Sequence, residues 1–127
     1  MIRRTVLALF ATLPFLPMAT AGEIVPYDAN RLSALQAAGE PVLLHVTAPW
    51  CPTCRAQHPI VSNLAADPAN ADLTVFEVDF DSQKDVLRQF NVRQQSTLIA
   101  FRGAEERGRA VGITDPAAIA ALVATTQ

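Results

Sequence analysis

The chain has 127 residues and a formal net charge of −2, enough for one small domain. It carries no basic stripe and no cluster of aromatic residues, which excludes a nucleic-acid surface. Both cysteines stand in one motif, so neither can bridge to a third.

Arg3 and Arg4 form a short positive start, and Thr5 to Leu16 is a nearly unbroken apolar run. Pro14 and Pro17 interrupt and close it, and Ala19-Thr20-Ala21 places small residues at the positions a signal peptidase reads. A membrane anchor needs about 20 apolar residues, more than this run provides. Residues 1–21 therefore read as a signal peptide, cleaved between Ala21 and Gly22. The Arg3-Arg4 pair hints at twin-arginine export, but Thr5-Val6-Leu7 fits that signal poorly, which favours the general secretory route. Residues 22–127 form the mature domain, exported to the periplasm or an equivalent compartment. The positive mean hydropathy owes part of its value to the signal segment.

Along the mature part, Asp28 can cap a helix through Leu32, Leu35 and Ala38, ended by Gly39. Val42 to Thr47 is an apolar, β-branched run with one polar interruption, His45, and reads as a buried strand. Ala48-Pro49-Trp50 is a turn. A helix follows from Cys51 to about Ala66, with Pro59 inside it as a kinking residue. Asp67-Pro68 breaks the chain, and Leu73 to Phe80 is a second strand. Ser82 is the expected cap of a short helix through Phe90. Thr97 to Phe101 is a third strand, Arg102 to Glu105 turns it, and Arg107 to Val111 returns as a polar edge strand. Asp115-Pro116 opens the last helix, whose apolar face is Ile119, Leu122 and Val123. The mixed charges from Arg102 to Arg109 read as a solvated hairpin. This order implies an α/β fold with a mixed central sheet and helices on both faces.

The chemistry lies in Cys51-Pro52-Thr53-Cys54. A pair this close constrains the unfolded chain little, so its use is reactive rather than structural. Disulfide exchange needs a thiolate nucleophile and a second sulfur that resolves the mixed disulfide. A helix N-terminus favours the thiolate, lowering a thiol pKa from about 8.5 into the range of about 3.5–7.5. Cys51, at the mouth, is the expected attacking thiol, and Cys54, one turn in and more buried, the resolving one. A metal half-site would need His45 and His58 as further ligands, a poor set for zinc. No metal and no cofactor is expected. Trp50 either packs in the core or shapes the surface beside the first cysteine. His58 reads as an exposed helix residue.

At Trp50-Cys51-Pro52-Thr53-Cys54 the sequence resembles thioredoxins, and the resemblance extends over the mature chain. Pro59 matches the helix-kinking proline of that family, Leu73-Thr74-Val75 and Asp81 its central strand region, and Phe90 to Arg93 with Thr97-Leu98 the stretch facing the redox site. It is most similar to exported thioredoxin-like domains, including the C-terminal domain of membrane thiol:disulfide interchange reductases. The resemblance implies the thioredoxin fold and a redox-active disulfide between Cys51 and Cys54. It also implies disulfide-bearing protein substrates, a membrane-embedded thiol electron donor, and action as a monomer.

Two positions depart from the family. Thioredoxins place a cis-proline before the threonine matched by Thr97, where this chain has Ser96. A non-proline cis bond costs about 2.5–4 kcal/mol, so a trans Gln95–Ser96 bond is expected. Thioredoxins also pair a buried aspartate with a lysine on the neighbouring strand, and the matching residues here are His45 and Glu77. A His45–Glu77 pair is expected, because a polar group in an apolar strand needs a partner. Burial and a neighbouring carboxylate push the histidine in opposite directions, and the sequence does not say which prevails.

The expected function is thiol–disulfide oxidoreductase outside the cytoplasm, acting as a reductase. The alternatives are a disulfide-introducing oxidase and a metal or cluster carrier. Pro52-Thr53 does not set the direction, since potentials in this fold span about −270 to −120 mV.

Overall fold

In a computed structural model of the chain, residues 13–16 and 21–127 are described. The proposed signal segment lies mostly outside them. Among the described residues, no helix is long and apolar enough to cross a membrane.

The strand that organises the sheet is β2, Pro41–Thr47. Its residues are buried on both faces from Pro41 to Val46. A strand of this kind needs a neighbour at each edge and a helical layer above and below. Its neighbours are β3, Thr74–Asp79, which runs parallel, and β4, Thr97–Arg102, which runs antiparallel. Beyond β4 lies β5, Glu105–Val111, joined by the two-residue turn Gly103-Ala104. Gly103 has φ +57° and meets the backbone of Gln36 and Gly39 closely, so this turn position favours glycine.

The sheet has a fifth strand that the sequence pattern does not reveal. Glu23–Pro26 forms β1, which pairs parallel with β3 at the far edge. The strand order is therefore β1-β3-β2-β4-β5. Among the described residues, anchoring begins one residue earlier, where the Gly22 amide donates to the Ala65 carbonyl at 2.7 Å. A Cβ on Gly22 would fall 2.7 Å from the carbonyl oxygens of Asn70 and Leu73, so only glycine fits without a shift.

Helices α1, Ala29–Ala37, and α3, Lys84–Gln89, contribute Leu32 and Leu87 to one core, against Val42, Leu44, Val46, Phe76 and Ile99. Helices α2, Pro52–Ala66, and α4, Pro116–Ala124, contribute Val61, Ala65, Ile119 and Val123 to the other, against Leu43, Val75 and Leu98. The alternation along β2 puts His45 on the side of Leu43, facing α2. The expected layers are borne out.

Asp28 and Asp115 cap α1 and α4 by accepting from Arg31 N and Ala118 N. The expected cap on α3 is corrected: its N-cap position is Gln83, with no side-chain cap bond. Asp79 accepts from the amides of Asp81 and Ser82 and so holds the turn that leads into α3. Gln83 instead reaches back, its Oε1 accepting from Asp79 N.

Candidate active site

Cys51 occupies the N-cap of α2, and Pro52 takes the first helical position, where its missing N–H costs nothing. Cys51 and Cys54 are disulfide-bonded, with Cα atoms 5.3 Å apart. The Cys54 amide donates to Cys51 Sγ at 3.1 Å. No acidic residue lies in the first turn of α2, so nothing there opposes the positive helix end. In the reduced state, this amide and the helix terminus favour a thiolate on Cys51 over one on Cys54. The expected difference in burial does not appear, because Cys51 and Cys54 are 1% and 0% exposed. Amide donation and helix position, rather than exposure, distinguish the two sulfurs.

Trp50 is 53% exposed beside this pair. Its Nε1–H donates to the Asp81 carboxylate at 2.9 Å, and its ring meets Phe80 edge-on. Phe80 in turn packs against Ala48, Cys51 and Cys54. The indole is therefore held in place while about half of the residue stays exposed beside the cysteines. Asp81 acts as its anchor.

Behind the cysteines, His45 is fully buried. The expected side-chain pair with Glu77 is corrected. The two residues are register partners on β2 and β3, but the hydrogen bond of His45 runs from Nε2 to Gln57 Oε1, 2.9 Å away. Glu77 lies instead near His58, with 3.7 Å between its carboxylate and Nδ1, and both side chains are partly exposed. The His58 ring packs edge-on against His45 at 5.1 Å between centroids. His58 is thus a neighbour of the buried histidine and not a free surface residue. Among the described residues, no cluster of three or more potential ligands could hold a metal ion.

Burial pushes the His45 pKa down from 6.5 to about 4, outweighing the bond to Gln57 that raises it, while His58 adds to the lowering. Desolvation prevails, and the imidazole is neutral at neutral pH. Gln57 is the residue the sequence did not single out. It is fully buried, and besides meeting His45 it donates from Nε2 to the carbonyls of Ser96 and Ile113, at 3.1 and 2.9 Å.

Ser96 lies in the loop before β4, and its preceding peptide bond is trans, as expected from its cost with a non-proline residue. Its φ is +58°. Its amide donates to Val46 O at 2.8 Å, and its carbonyl also accepts from the Gly112 amide. The Val46 carbonyl oxygen lies 3.9 Å from Cys54 Sγ, so this loop is tied to the redox site through one backbone group. An open hollow bounded by Val92, Arg93, Gln94, Thr97 and Val111 adjoins it.

A thioredoxin family model matches residues 24–125. The thioredoxin H-type of Brassica campestris is 31% identical over 97 residues, covering 72% of this chain and 77% of its own length. The thioredoxin of Mycobacterium bovis is 33% identical over 92 residues, covering 72% and 78%. The chain spans only 20% of the bifunctional thioredoxin reductase/thioredoxin of Mycobacterium leprae and 60% of the chloroplastic thioredoxin M-type of Zea mays. Among solved structures, Trxlp from Edwardsiella tarda is 44% identical with a TM-score of 0.77, covering 80% of this chain and 98% of that one.

Two measurements follow from this geometry. Because the folded pKa of His45 lies below its unfolded value, the unfolded chain binds the extra proton between them. The contribution of His45 is fully present above pH 6.5 and is lost as pH falls towards 4. Urea unfolding of the oxidised protein should show a loss on the order of 3 kcal/mol over that window that is missing in His45→Gln. Parallel curves for parent and variant would refute it. At Ser96, proline cannot take the positive φ and has no amide for Val46. Ser96→Gly should keep parental stability within about 1 kcal/mol, and Ser96→Pro should lose about 3 kcal/mol. Thermal and urea melts of the two variants check this, and an unchanged Ser96→Pro would contradict the observed loop.

Proposed function

The chain belongs to the thioredoxin family, and we propose that it exchanges its Cys51–Cys54 dithiol with disulfides of protein substrates outside the cytoplasm, in the reducing direction. The observation that carries this reading is the Cys54 amide aimed at Cys51 Sγ on the N-cap of α2. A Cys51 thiolate stabilised there attacks a substrate disulfide and releases one substrate thiolate. The mixed disulfide that forms is broken when Cys54 loses its proton and attacks Cys51 Sγ. The Cys51–Cys54 disulfide closes, and the second substrate sulfur leaves with the electron pair. The substrate gains two electrons and, from solvent, two protons.

The electrostatics behind the pair support reduction. Strongly oxidising relatives of this chemistry owe their potential to a stabilised reduced form. Here the imidazole behind the disulfide is neutral at working pH, so it places no permanent positive charge behind the sulfurs. The closest polar neighbours of the sulfurs are backbone groups, Cys54 N and Val46 O. Neither is a full positive charge, so the Cys51 thiolate at the helix end is held less tightly than a cation would hold it, which favours giving up electrons. In an oxidising compartment this monomeric domain takes replacement electrons from a membrane-embedded thiol donor.

Export is supported by the sequence of the first 21 residues and by the position of Gly22. Gly22 is the first of the described residues whose backbone bonds into the fold. An α-ammonium on Gly22 would face the Ala65 carbonyl at the C-terminal end of α2, where a positive charge is favoured.

Cys51→Ser should abolish reduction of a protein disulfide such as that of insulin, and Cys54→Ser should accumulate mixed disulfides through Cys51. Partners captured on Cys54 instead would reverse the assignment. Equilibration of the parent with glutathione buffers should give a potential near the reducing end of about −270 mV. A value near −120 mV would make the protein an oxidase. For location, mass spectrometry of the exported fraction should find a chain that begins at Gly22. An intact Met1 chain held in the membrane would rule out cleavage.

A further inference from the structure

We propose that Gln57 is a positioning residue that holds His45 as its Nε2–H tautomer, so that the Nδ1 lone pair receives the proton Cys54 gives up when it resolves the mixed disulfide. The proposal rests on the thiol–disulfide exchange reading above.

The argument begins with the two carbonyls. Gln57 Nε2 lies 3.1 Å from Ser96 O and 2.9 Å from Ile113 O. Both are main-chain oxygens that can only accept. Turning the amide over would place Oε1 against them, losing two hydrogen bonds and opposing lone pairs. The orientation of the Gln57 side chain is therefore fixed by chemistry. Its Oε1 must face His45 Nε2 at 2.9 Å, and an amide oxygen can only accept. Nε2 must then carry the hydrogen. In a neutral imidazole this leaves Nδ1 with its lone pair, and His45 Nδ1 is a buried side-chain atom with no hydrogen-bond partner among the described residues. Leaving such an atom unsatisfied in the interior is unfavourable, a penalty that a purely structural core residue would avoid.

The surroundings fit a proton acceptor for Cys54. His45 precedes Val46, whose carbonyl oxygen is 3.9 Å from Cys54 Sγ. The groups facing the imidazole are Gln57 and His58 from α2 and Glu77 from β3, while its partner on β4 is the apolar Leu98. Cys54 lies three residues before Gln57 on α2, on the same face of the helix. A charged His58 would oppose protonation of His45, and Glu77 beside His58 moderates that effect. In the resolving step the Cys54 Sγ–H bond breaks and its proton passes to Nδ1 through water, since no sulfur lies within hydrogen-bond distance of that nitrogen. Cys54 Sγ then bonds to Cys51 Sγ, and the Cys51–substrate bond breaks with both electrons leaving on the substrate sulfur. The low pKa of His45 belongs to the disulfide state, where no charge is present. A thiolate developing on Cys54 attracts the imidazolium and raises it during the step. The proton returns to solvent afterwards. Attack by Cys51 involves none of these groups.

The test has two arms. Nitrogen-15 NMR of the parent should show His45 with Nε2 protonated and Nδ1 bare at pH 7, and Gln57→Met should yield a mixture of tautomers. Rapid-quench kinetics with a model protein disulfide should show resolution slowed by about tenfold to a hundredfold in Gln57→Met, with an altered pH profile for that step. Attack by Cys51 should stay within about twofold of the parent, since no step of it uses the histidine. A parent with the proton on Nδ1 would overturn the proposal, as would equal slowing of both steps or no slowing of resolution. If Gln57→Met does not fold, the tautomer in the parent still decides. A parent that performs no exchange at all would refute the proposed function, while the tautomer measurement would still judge Gln57.

Discussion

Gln57 makes three hydrogen bonds with one side chain, and each goes to a different part of the fold. Its oxygen holds the histidine of the central strand, and its amide holds the loop before β4 and the segment after β5. The helix that carries both cysteines is thereby tied to the sheet by directional contacts as well as by the packing of Val61 and Ala65. Hydrophobic contact alone sets a distance between helix and sheet but tolerates small sliding and rotation. A buried amide with all three of its bonds in place does not, because any shift leaves polar atoms unpaired in a low-dielectric interior. The alignment of Cys54 with Val46 depends on that restraint.

Much of this was legible in the sequence, and the part that was legible is local. The Cys51–Cys54 motif at a helix start, the apolar run of β2, and Asp115-Pro116 at the opening of α4 each signal their structure within a few residues. β1 was not legible, because Glu23–Pro26 is four residues long, mostly exposed and ends in proline. It becomes a strand only by pairing with β3. Gln57 was illegible for a related reason. On α2 it is one polar residue among several, and its role comes from carbonyls 39 and 56 residues away in the chain. The same limit applied to Glu77. Its register opposite His45 was readable, but the side chain that actually lies near its carboxylate sits on a helix, and register says nothing about that.

The loop at Ser96 shows how a different residue can serve a similar place. A proline has no amide to give, so a loop built on it must be held by other contacts. Ser96 keeps its amide and uses it on Val46, while its carbonyl takes bonds from Gln57 and Gly112. Its hydroxyl is turned back to the Gln95 carbonyl at 2.6 Å. The positive φ costs a serine about 1–2 kcal/mol, and these bonds offset it. The main-chain groups of Ser96 are consequently committed inside the protein. A substrate segment that docks beside the cysteines must find its backbone partners elsewhere, with Trp50 and the hollow near Arg93 as the exposed features at hand.

The exchange of a buried charge for a buried neutral ring changes more than one residue. A carboxylate in this position would need a compensating cation or would stay protonated, because an isolated charge in the interior is strongly disfavoured. A neutral imidazole has no such requirement, and a neutral amide suffices as its partner. That releases Glu77 from the core. It sits partly exposed, near a histidine that is exposed to the same degree. The cost falls at low pH instead, where the unfolded chain takes up a proton that buried His45 refuses. Above that acid limit His45 itself adds no charge behind the disulfide, and in exchange it enters only while a proton is in transit.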